Sequence, residues 1–178
     1  RQRQMCIRDR IYDPPYALYV KGKLPDNTAR AAAIVGARSC TPYGEKYALE
    51  YGKKLAECGI QVISGLARGV DGIGQRGALL GGGKTFAVLG SGVDVCYPKN
   101  HMGLYLDILE QEGGILSELP PGTPPLPQHF PRRNRIISAL SDIVLVMEAR
   151  ERSGSLITAD LALEQGKDVY ALPGLSLI

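Results

Sequence analysis

The sequence has few of the residues from which metal sites and catalytic nucleophiles are built. Only two of its 178 residues are histidines, His101 and His129, and no cluster of carboxylates accompanies either. Zinc sites need several His or Cys ligands at short spacing, so this pattern excludes them. The G-x-S-x-G turn of serine hydrolases is also absent. No group of residues in the sequence therefore indicates a catalytic centre.

Cysteines are scarce and scattered. The four, Cys6, Cys40, Cys58 and Cys96, form no C-x-x-C pair, which predicts reduced thiols in a cytoplasmic chain. No apolar run approaches the roughly 18 residues of a membrane span, and no signal-peptide core precedes the first strand. We therefore expect no membrane partner.

The content of tryptophan and phenylalanine is low as well, and so is the net charge. The chain has no tryptophan, two phenylalanines and a formal net charge of +3. Such a mild charge permits a nucleic-acid partner without requiring one, so any basic site must be local. The hydrophobic content of 44% and charged content of 22% are ordinary for a globular protein. The length of 178 residues suits one well-buried domain.

Short apolar runs alternate with small-residue turns and helical patterns along most of the chain. We predict strands at residues 17–21, 31–35, 61–63, 85–89, 114–118, 143–147 and 169–172. Helices are predicted at residues 41–58, 72–80, 100–112 and 155–165, with one more starting at Pro131. Apolar strands without alternation indicate a mostly parallel sheet covered on both faces. The predicted fold class is α/β, doubly wound and extended Rossmann-like.

Residues 1–10, RQRQMCIRDR, do not share this rhythm. They have no amphipathic periodicity, and they differ abruptly from the sequence that follows them. We interpret them as a non-native leader and exclude them from the fold prediction.

The topology predicts where a ligand binds. In a doubly wound sheet the ligand lies outside the carboxyl ends of the strands. The loops at those ends are residues 36–39, 64–69, 90–92, 118 onward and 148–155, and they are rich in Gly, Ser and Arg. This agreement predicts a binding site at the carboxyl edge.

The segment 128–141, QHFPRRNRIISALS, is the most unusual in the chain. Pro131 is predicted at the first helical position, which would place arginines where the helix dipole disfavours cations. An anion such as phosphate would offset their repulsion; the alternative is a solvated basic helix start. Phe130 either folds inward as a hydrophobic staple against Arg135 or Ile136, or stacks on a base, and we favour stacking.

Two further loops resemble nucleotide fingerprints only in part. Arg38 occupies the place where a G-x-G-x-x-G loop needs its second glycine, so we predict a phosphate ligand rather than a dinucleotide turn. The alternative for Arg38 is a surface ion pair. The run 81–85, GGGKT, lacks the first Walker glycine because residue 78 is Ala78, and it precedes a strand, which excludes a P-loop.

The loop before the last predicted helix could also receive an anion. Ser155 is predicted as its N-cap and Gly154 would let a backbone N–H approach an anion, although plain capping is the alternative. Four carboxylates near strand ends are predicted as structural ion-pair partners of the arginines rather than catalysts. They are Asp71, Asp94, Glu118 and Glu148.

Six segments together resemble the DNA-processing protein A (DprA/Smf) family. They are VGARSCTPYG (35–44), ISGLARGVDG (63–72), GALLGGGKTFAVLGSGVDVCYPKN (77–100), GGILSELPPG (113–122), FPRRNRIISALSDIVLVMEA (130–149) and SGSLITADLALEQGKDVYALPG (153–174). The resemblance implies a non-catalytic bacterial protein without a cofactor, which binds single-stranded DNA and loads the RecA recombinase in recombination and natural transformation. It also implies a homodimer in the full-length protein.

The same resemblance supplies the candidate DNA-binding residues. They are Gly36, Arg38, Ser64, Gly65, Arg68, Phe130, Arg133, Asn134, Arg135, Ser153, Gly154, Ser155 and Thr158. We expect Arg38, Arg133 and Arg135 each to neutralise one phosphate. The chain departs from the family at Gln75, where histidine is usual. Residues 11–178 are interpreted as the Rossmann-like core, truncated at its C-terminal end.

Two alternatives of the same broad fold group remain. The chain could resemble the lysine-decarboxylase-like nucleotide phosphoribohydrolases, whose hallmark is P-G-G-x-G-T-x-x-E. Residues 152–160 read RSGSLITAD, without the glycine pair or the glutamate, which argues against hydrolysis. A small-nucleotide sensor using the same pocket stays open.

Overall fold

Seven strands form one sheet in the order β1-β5-β4-β3-β2-β6-β7. The structure is a computed structural model that describes residues 11–151 and 153–174. The strands are β1 (Tyr19–Gly22), β2 (Ala31–Val35), β3 (Gln61–Ser64), β4 (Thr85–Val88), β5 (Gly114–Ser117), β6 (Ile143–Val146) and β7 (Asp168–Ala171). The helices are α1 (Pro42–Glu57), α2 (Val70–Leu80), α3 (Met102–Glu110), α4 (His129–Ala139) and α5 (Gly154–Glu164), with a 3-10 turn at Lys99–His101.

The sheet is parallel except at one edge, where β1 pairs with β5 in antiparallel register, Tyr19 opposite Ser117. Every residue of β2, β3, β4 and β5 is buried, which is the pattern of strands covered on both faces. The predicted α/β, doubly wound, mostly parallel fold is confirmed.

Alternate residues of the strands face two helical layers. Ile34 of β2 packs in a cluster with Ala48 of α1 and Val70 of α2, and α3 extends this layer through a neighbouring cluster. On the other face Val35 shares a cluster with residues of α4 and α5. Because successive side chains of β2 point to opposite faces of the sheet, this strand contributes to both layers of the core.

Helix α1 buries its small residues, whereas Tyr43 and Tyr47 are only partly buried and Tyr51 is exposed. Its buried residues are Gly44, Ala48, Gly52 and Ala56. A Cβ on Gly52 would lie 2.1 Å from the carbonyl oxygen of Gly74 in α2, so glycine is required for this close helix crossing.

Each predicted helix start differs from the observed one by one or two residues, and two of these differences concern α4 and α5. Helix α4 begins at His129, which makes Pro131 its third residue rather than its first; the first-turn N–H groups have no intrahelical partner, so proline is tolerated there too. Helix α5 is capped by Ser153 rather than Ser155, and the Ser153 hydroxyl accepts a hydrogen bond from the Ser155 N–H.

Three further expectations concern the chain termini, the cysteines and membrane-spanning helices. Residues 1–10 and 175–178 lie outside the described part of the chain, as does Cys6. Cys40, Cys58 and Cys96 are free thiols. None of the helices that the structure describes combines the length and apolar character needed to cross a membrane.

The change in strand order fixes the position of the site. Strand β2 lies between β3 and β6, so the chain winds outward from β2 in one direction through β3, β4 and β5, and in the other through β6 and β7. Loops at the carboxyl ends of β2 and β6 therefore diverge to opposite faces and leave a crevice between them.

Candidate nucleic-acid interface

A cleft of about 470 Å³ opens at this crevice. It is lined by the loop after β2, the start of α4, the loop after β6 and the first turns of α5. The lining side chains and backbone belong to Val35, Gly36, Ala37, Arg38, Ser39, Ala67, Asp71, Pro127, Phe130, Pro131, Arg133, Asn134, Ile137, Arg150, Glu151, Ser153, Gly154, Ser155 and Thr158. Three arginines therefore face two carboxylates around one concave surface.

Arg133 is buried and held by backbone carbonyl groups. It is only 6% exposed. Its Nη1 donates to the carbonyl oxygen of Gly65 at 2.8 Å and also to that of Val88. Its Nε, although buried, has no hydrogen-bond partner among the described residues. A buried N–H of a guanidinium costs free energy when unpaired, and a guanidinium that lines a cleft is suited to bind an anion there.

A buried carboxyl moderates the charge of Arg133. Burial raises the pKa of Asp71, while the Arg133 guanidinium, the backbone N–H groups of Gly65 and Gly36 and the Ser64 side chain oppose that rise. Burial also lowers the pKa of Arg133 to about 10, against the opposing effect of Asp71. Arg133 therefore remains a cation at neutral pH.

The turn after β3 supports the Arg133 guanidinium. A Cβ on Gly65 would lie 2.4 Å from Nη1 of Arg133, so the guanidinium rests directly on this glycine. Next to it, Leu66 is fully buried and has φ 57°, a conformation that costs free energy in a residue with a Cβ. The Leu66 N–H donates to Oε1 of Gln75 at 3.1 Å, and Gln75 is anchored in turn on the Thr85 hydroxyl.

Arg38 and Phe130 line the cleft next to Arg133, whose guanidinium carbon lies 6.0 Å from the centre of the Phe130 ring. Arg38 is exposed, and its guanidinium carbon lies 5.5 Å from the centre of the Phe130 ring, within the range of a cation–π contact. The ring edge packs on Gly90, where a Cβ would approach it to 2.8 Å. Its centre is 5.6 Å from that of Tyr97. Phe130 thus lines the cleft, and its ring contacts the Arg38 guanidinium.

The N-terminus of α5 closes the third side. The Ser153 hydroxyl caps the Ser155 N–H at 3.2 Å. Asn134 of α4 donates from Nδ2 to the carbonyl oxygen of Gly154 at 3.1 Å, which ties the two helices together. A Cβ on Gly154 would meet no atom within 4 Å, so the approach to this helix N-terminus is open. The positive end of the helix dipole adds to the arginine charges.

Comparison with known proteins identifies the family. The model of the family described as DNA recombination-mediator protein A matches residues 5–177. The chain belongs to this family. It is 49% identical over 162 residues to Protein Smf of Escherichia coli, an alignment that covers 91% of this chain and 43% of that protein.

Solved structures of the family agree with the fold. The DNA processing protein A of Streptococcus pneumoniae is 44% identical, with a TM-score of 0.88 over 95% of this chain and 59% of that one. The Helicobacter pylori protein, whose structure describes a single-stranded DNA binding mode, is 34% identical, with a TM-score of 0.86 over 97% of this chain and 78% of that one. The chain spans about half the length of the curated relatives it matches.

Most of the family residues predicted from the sequence line the cleft, and four do not. Nine line it: Gly36, Arg38, Phe130, Arg133, Asn134, Ser153, Gly154, Ser155 and Thr158. Gly65 instead supports Arg133 from behind, and Ser64 is fully buried and donates to the Ile34 carbonyl oxygen at 2.6 Å. Arg68 is exposed outside the cleft.

The expectation that Arg135 faces a phosphate beside Arg133 is corrected. The Arg135 Nη2 donates to Oε1 of Glu118 at 2.7 Å, and its Nε donates to the carbonyl oxygen of Asp13 at 2.8 Å. Its side chain is buried by these contacts. Two residues along a helix differ by about 200° in direction, so Arg133 and Arg135 cannot share one face.

The structure also adds two residues that sequence reasoning did not select. Arg150 and Glu151 line the cleft and lie in a loop that the sequence had placed at the carboxyl edge, and Asp71, predicted as an ion-pair partner, lines the cleft as well. Of the other acidic residues, Glu118 pairs with an arginine as expected. Glu148 instead accepts hydrogen bonds from the N–H and hydroxyl of Thr41, both at 2.9 Å. No cluster of metal-ligating side chains occurs within residues 11–151 and 153–174.

Proposed function

We propose that the cleft binds the phosphate backbone of single-stranded DNA without chemical catalysis. The observation that carries the proposal is that Arg133, Arg38 and the N-terminus of α5 line the same cleft. These three groups supply N–H donors and positive charge. A phosphate in the cleft would accept hydrogen bonds from them and offset their charge.

The form of nucleic acid follows from the shape and chemistry of the lining. The donors lie inside a cleft of about 470 Å³ rather than on a broad basic surface, and a duplex backbone would have to enter that concavity. The half-buried Phe130 ring provides apolar surface beside the arginines, and aromatic surface next to cations is a feature of single-strand sites. The relative from Helicobacter pylori, whose structure describes a single-stranded DNA binding mode, supports the same assignment.

The partner roles rest on the family rather than on the cleft. We place the protein among recombination mediators that load RecA on single-stranded DNA during recombination and natural transformation, in the cytoplasm, with a homodimer formed by the full-length protein. No surface of this chain is assigned to RecA or to the dimer. RecA assembly on an oligonucleotide, followed with and without the protein, tests the loading role.

A cleft of this volume also suits a single nucleotide, which is the observation that keeps a small-nucleotide sensor as the second candidate. A phosphoribohydrolase is disfavoured because Asp71, a carboxyl in the cleft, is buried and is occupied by the interactions described above. Glu151 is exposed at the rim.

One set of titrations separates these functions. Fluorescence anisotropy would measure binding of a labelled oligothymidine, a duplex of equal length and a nucleoside monophosphate, while chromatography would follow base release from the monophosphate. We expect tighter binding to the oligothymidine than to the duplex, and no base release. Equal affinity for oligothymidine and duplex would contradict a single-strand site. Binding of the monophosphate alone would favour the sensor, and base release would establish the enzyme.

A further inference from the structure

An exposed aromatic ring lies at the rim of the cleft, outside the residues that line it. Tyr97 follows β4 at the carboxyl edge of the sheet and is 44% exposed. Its ring centre lies 5.6 Å from that of Phe130, with an angle of 40° between the two planes. An exposed aromatic side chain beside a cationic cleft is suited to bind the face of a nucleobase.

The loop that contains Tyr97 is anchored by buried neighbouring residues and by hydrogen bonds. Its neighbours Cys96 and Pro98 are buried. The Ser91 hydroxyl donates to the Val95 carbonyl oxygen at 2.8 Å, and the Tyr105 hydroxyl donates to that of Val93 at 2.6 Å. A ring presented by an anchored loop loses little conformational entropy when a ligand stacks on it.

Phe130 is less available than Tyr97 for the same task. Arg38 lies over its ring, Gly90 packs against its edge, and it lines the cleft at half exposure. A base that stacked on the full Phe130 face would have to share it with the Arg38 guanidinium. In the described part of the chain no guanidinium or ammonium group lies over the Tyr97 ring, and the exposed Lys99 follows two residues later.

We propose that Tyr97 stacks on a nucleobase adjacent to the nucleotide whose phosphate lies in the cleft. The ligand is then a strand of at least two nucleotides, which passes from the Arg133 site over the Phe130 edge to Tyr97. This inference rests on the proposed binding of single-stranded DNA. It adds that the site distinguishes a strand from a mononucleotide through an aromatic contact outside the cleft.

The test compares three variants with two ligands. Tyr97→Ala should weaken oligothymidine binding by about five- to 150-fold, the range expected for one lost base stack, and should leave binding of thymidine monophosphate unchanged. Tyr97→Phe keeps the ring and should retain oligothymidine affinity. Tyr51→Ala is the matched control, because Tyr51 on α1 is similarly exposed, at 40%, and lies outside the cleft.

Each outcome decides the inference. If Tyr97→Ala binds oligothymidine as well as Tyr51→Ala does, the stacking role is overturned while single-strand binding stands. If the unaltered protein binds no oligonucleotide, the proposed function fails and this inference fails with it. Because a variant could also disturb the loop, the unaltered protein should be irradiated with an oligonucleotide carrying 5-iodouracil. An adduct on Tyr97, mapped by mass spectrometry, supports the contact, and adducts confined to other residues contradict it.

Discussion

Gly65→Ala tests whether the turn after β3 positions Arg133. The added Cβ would lie 2.4 Å from Nη1 of Arg133 and 2.7 Å from both Cζ and Nη2. Non-bonded carbon atoms prefer separations of about 3.5–4.0 Å, so the whole planar group must move by roughly 1 Å. Such a movement would lengthen the two hydrogen bonds from Nη1 to the carbonyl oxygens of Gly65 and Val88.

The expected loss of stability follows from the burial of these two hydrogen bonds. Hydrogen bonds to a charged group contribute about 1.5–3 kcal/mol, and water has little access to a guanidinium that is 6% exposed. We expect the free energy of unfolding of Gly65→Ala to fall by about 1.5–3 kcal/mol in urea titrations followed by circular dichroism. Because the displaced guanidinium belongs to a residue that lines the cleft, affinity for oligothymidine should fall by about tenfold or more, a change of 1.4 kcal/mol.

Gly103→Ala is the matched control for this substitution. It adds the same atom to a helix, and no other atom lies within 4 Å of the new Cβ. Its stability should be unchanged or slightly higher, since alanine favours helix over glycine by about 1 kcal/mol, and its DNA affinity should be unchanged. A Gly65→Ala protein with the stability and affinity of the unaltered chain would refute the role assigned to this turn.

Three further substitutions test the surrounding network. Gln75→Leu leaves the buried Leu66 N–H without its acceptor, so urea titration should show a loss of about 1–3 kcal/mol; an unchanged midpoint would remove Gln75 from the network. Because burial raises the pKa of Asp71, its contribution to stability is greatest below the unfolded value of about 3.9 and is lost as pH rises through the folded pKa. The difference in unfolding free energy between Asp71→Asn and the unaltered chain should therefore vary with pH in that window, and a constant difference would contradict the shift. Phe130→Leu removes the ring under Arg38, a contact of about 0.5–1 kcal/mol, so anisotropy should show about two- to fivefold weaker oligothymidine binding; full affinity would show that Arg38 needs no ring.

The elements were predictable because their signals are local. Buried runs such as Ala31–Val35 and Ile143–Val146 have no alternation, and this alone identifies parallel strands covered on both faces. The first residue of α4 was harder to predict from the sequence, since proline fits any position of the first helical turn. The packing of α1 could not be read from the sequence for a related reason. Its tyrosines and its buried glycines and alanines recur with the same helical period.

The site was predictable as a set of loops rather than as a set of side-chain directions. Topology placed Arg38 and Gly154 at one edge of the sheet, and the cleft contains both. The separation of Arg133 from Arg135 depends on helix phase relative to the sheet, and on Glu118 lying beside α4. The left-handed conformation of Leu66 gave no signal, because turns with φ above zero are usually marked by glycine or asparagine.

The salt dependence of oligothymidine binding tests the central claim most directly. Each phosphate contact to a single strand contributes a slope of about −0.7 in a plot of log affinity against log salt. Arg38→Gln should reduce the magnitude of the slope by about 0.7. Arg135→Gln should leave the slope unchanged, because Arg135 is buried against Glu118 rather than in the cleft. A slope near zero for the unaltered protein, or an equal reduction in both variants, would contradict a phosphate site built on Arg38 and Arg133.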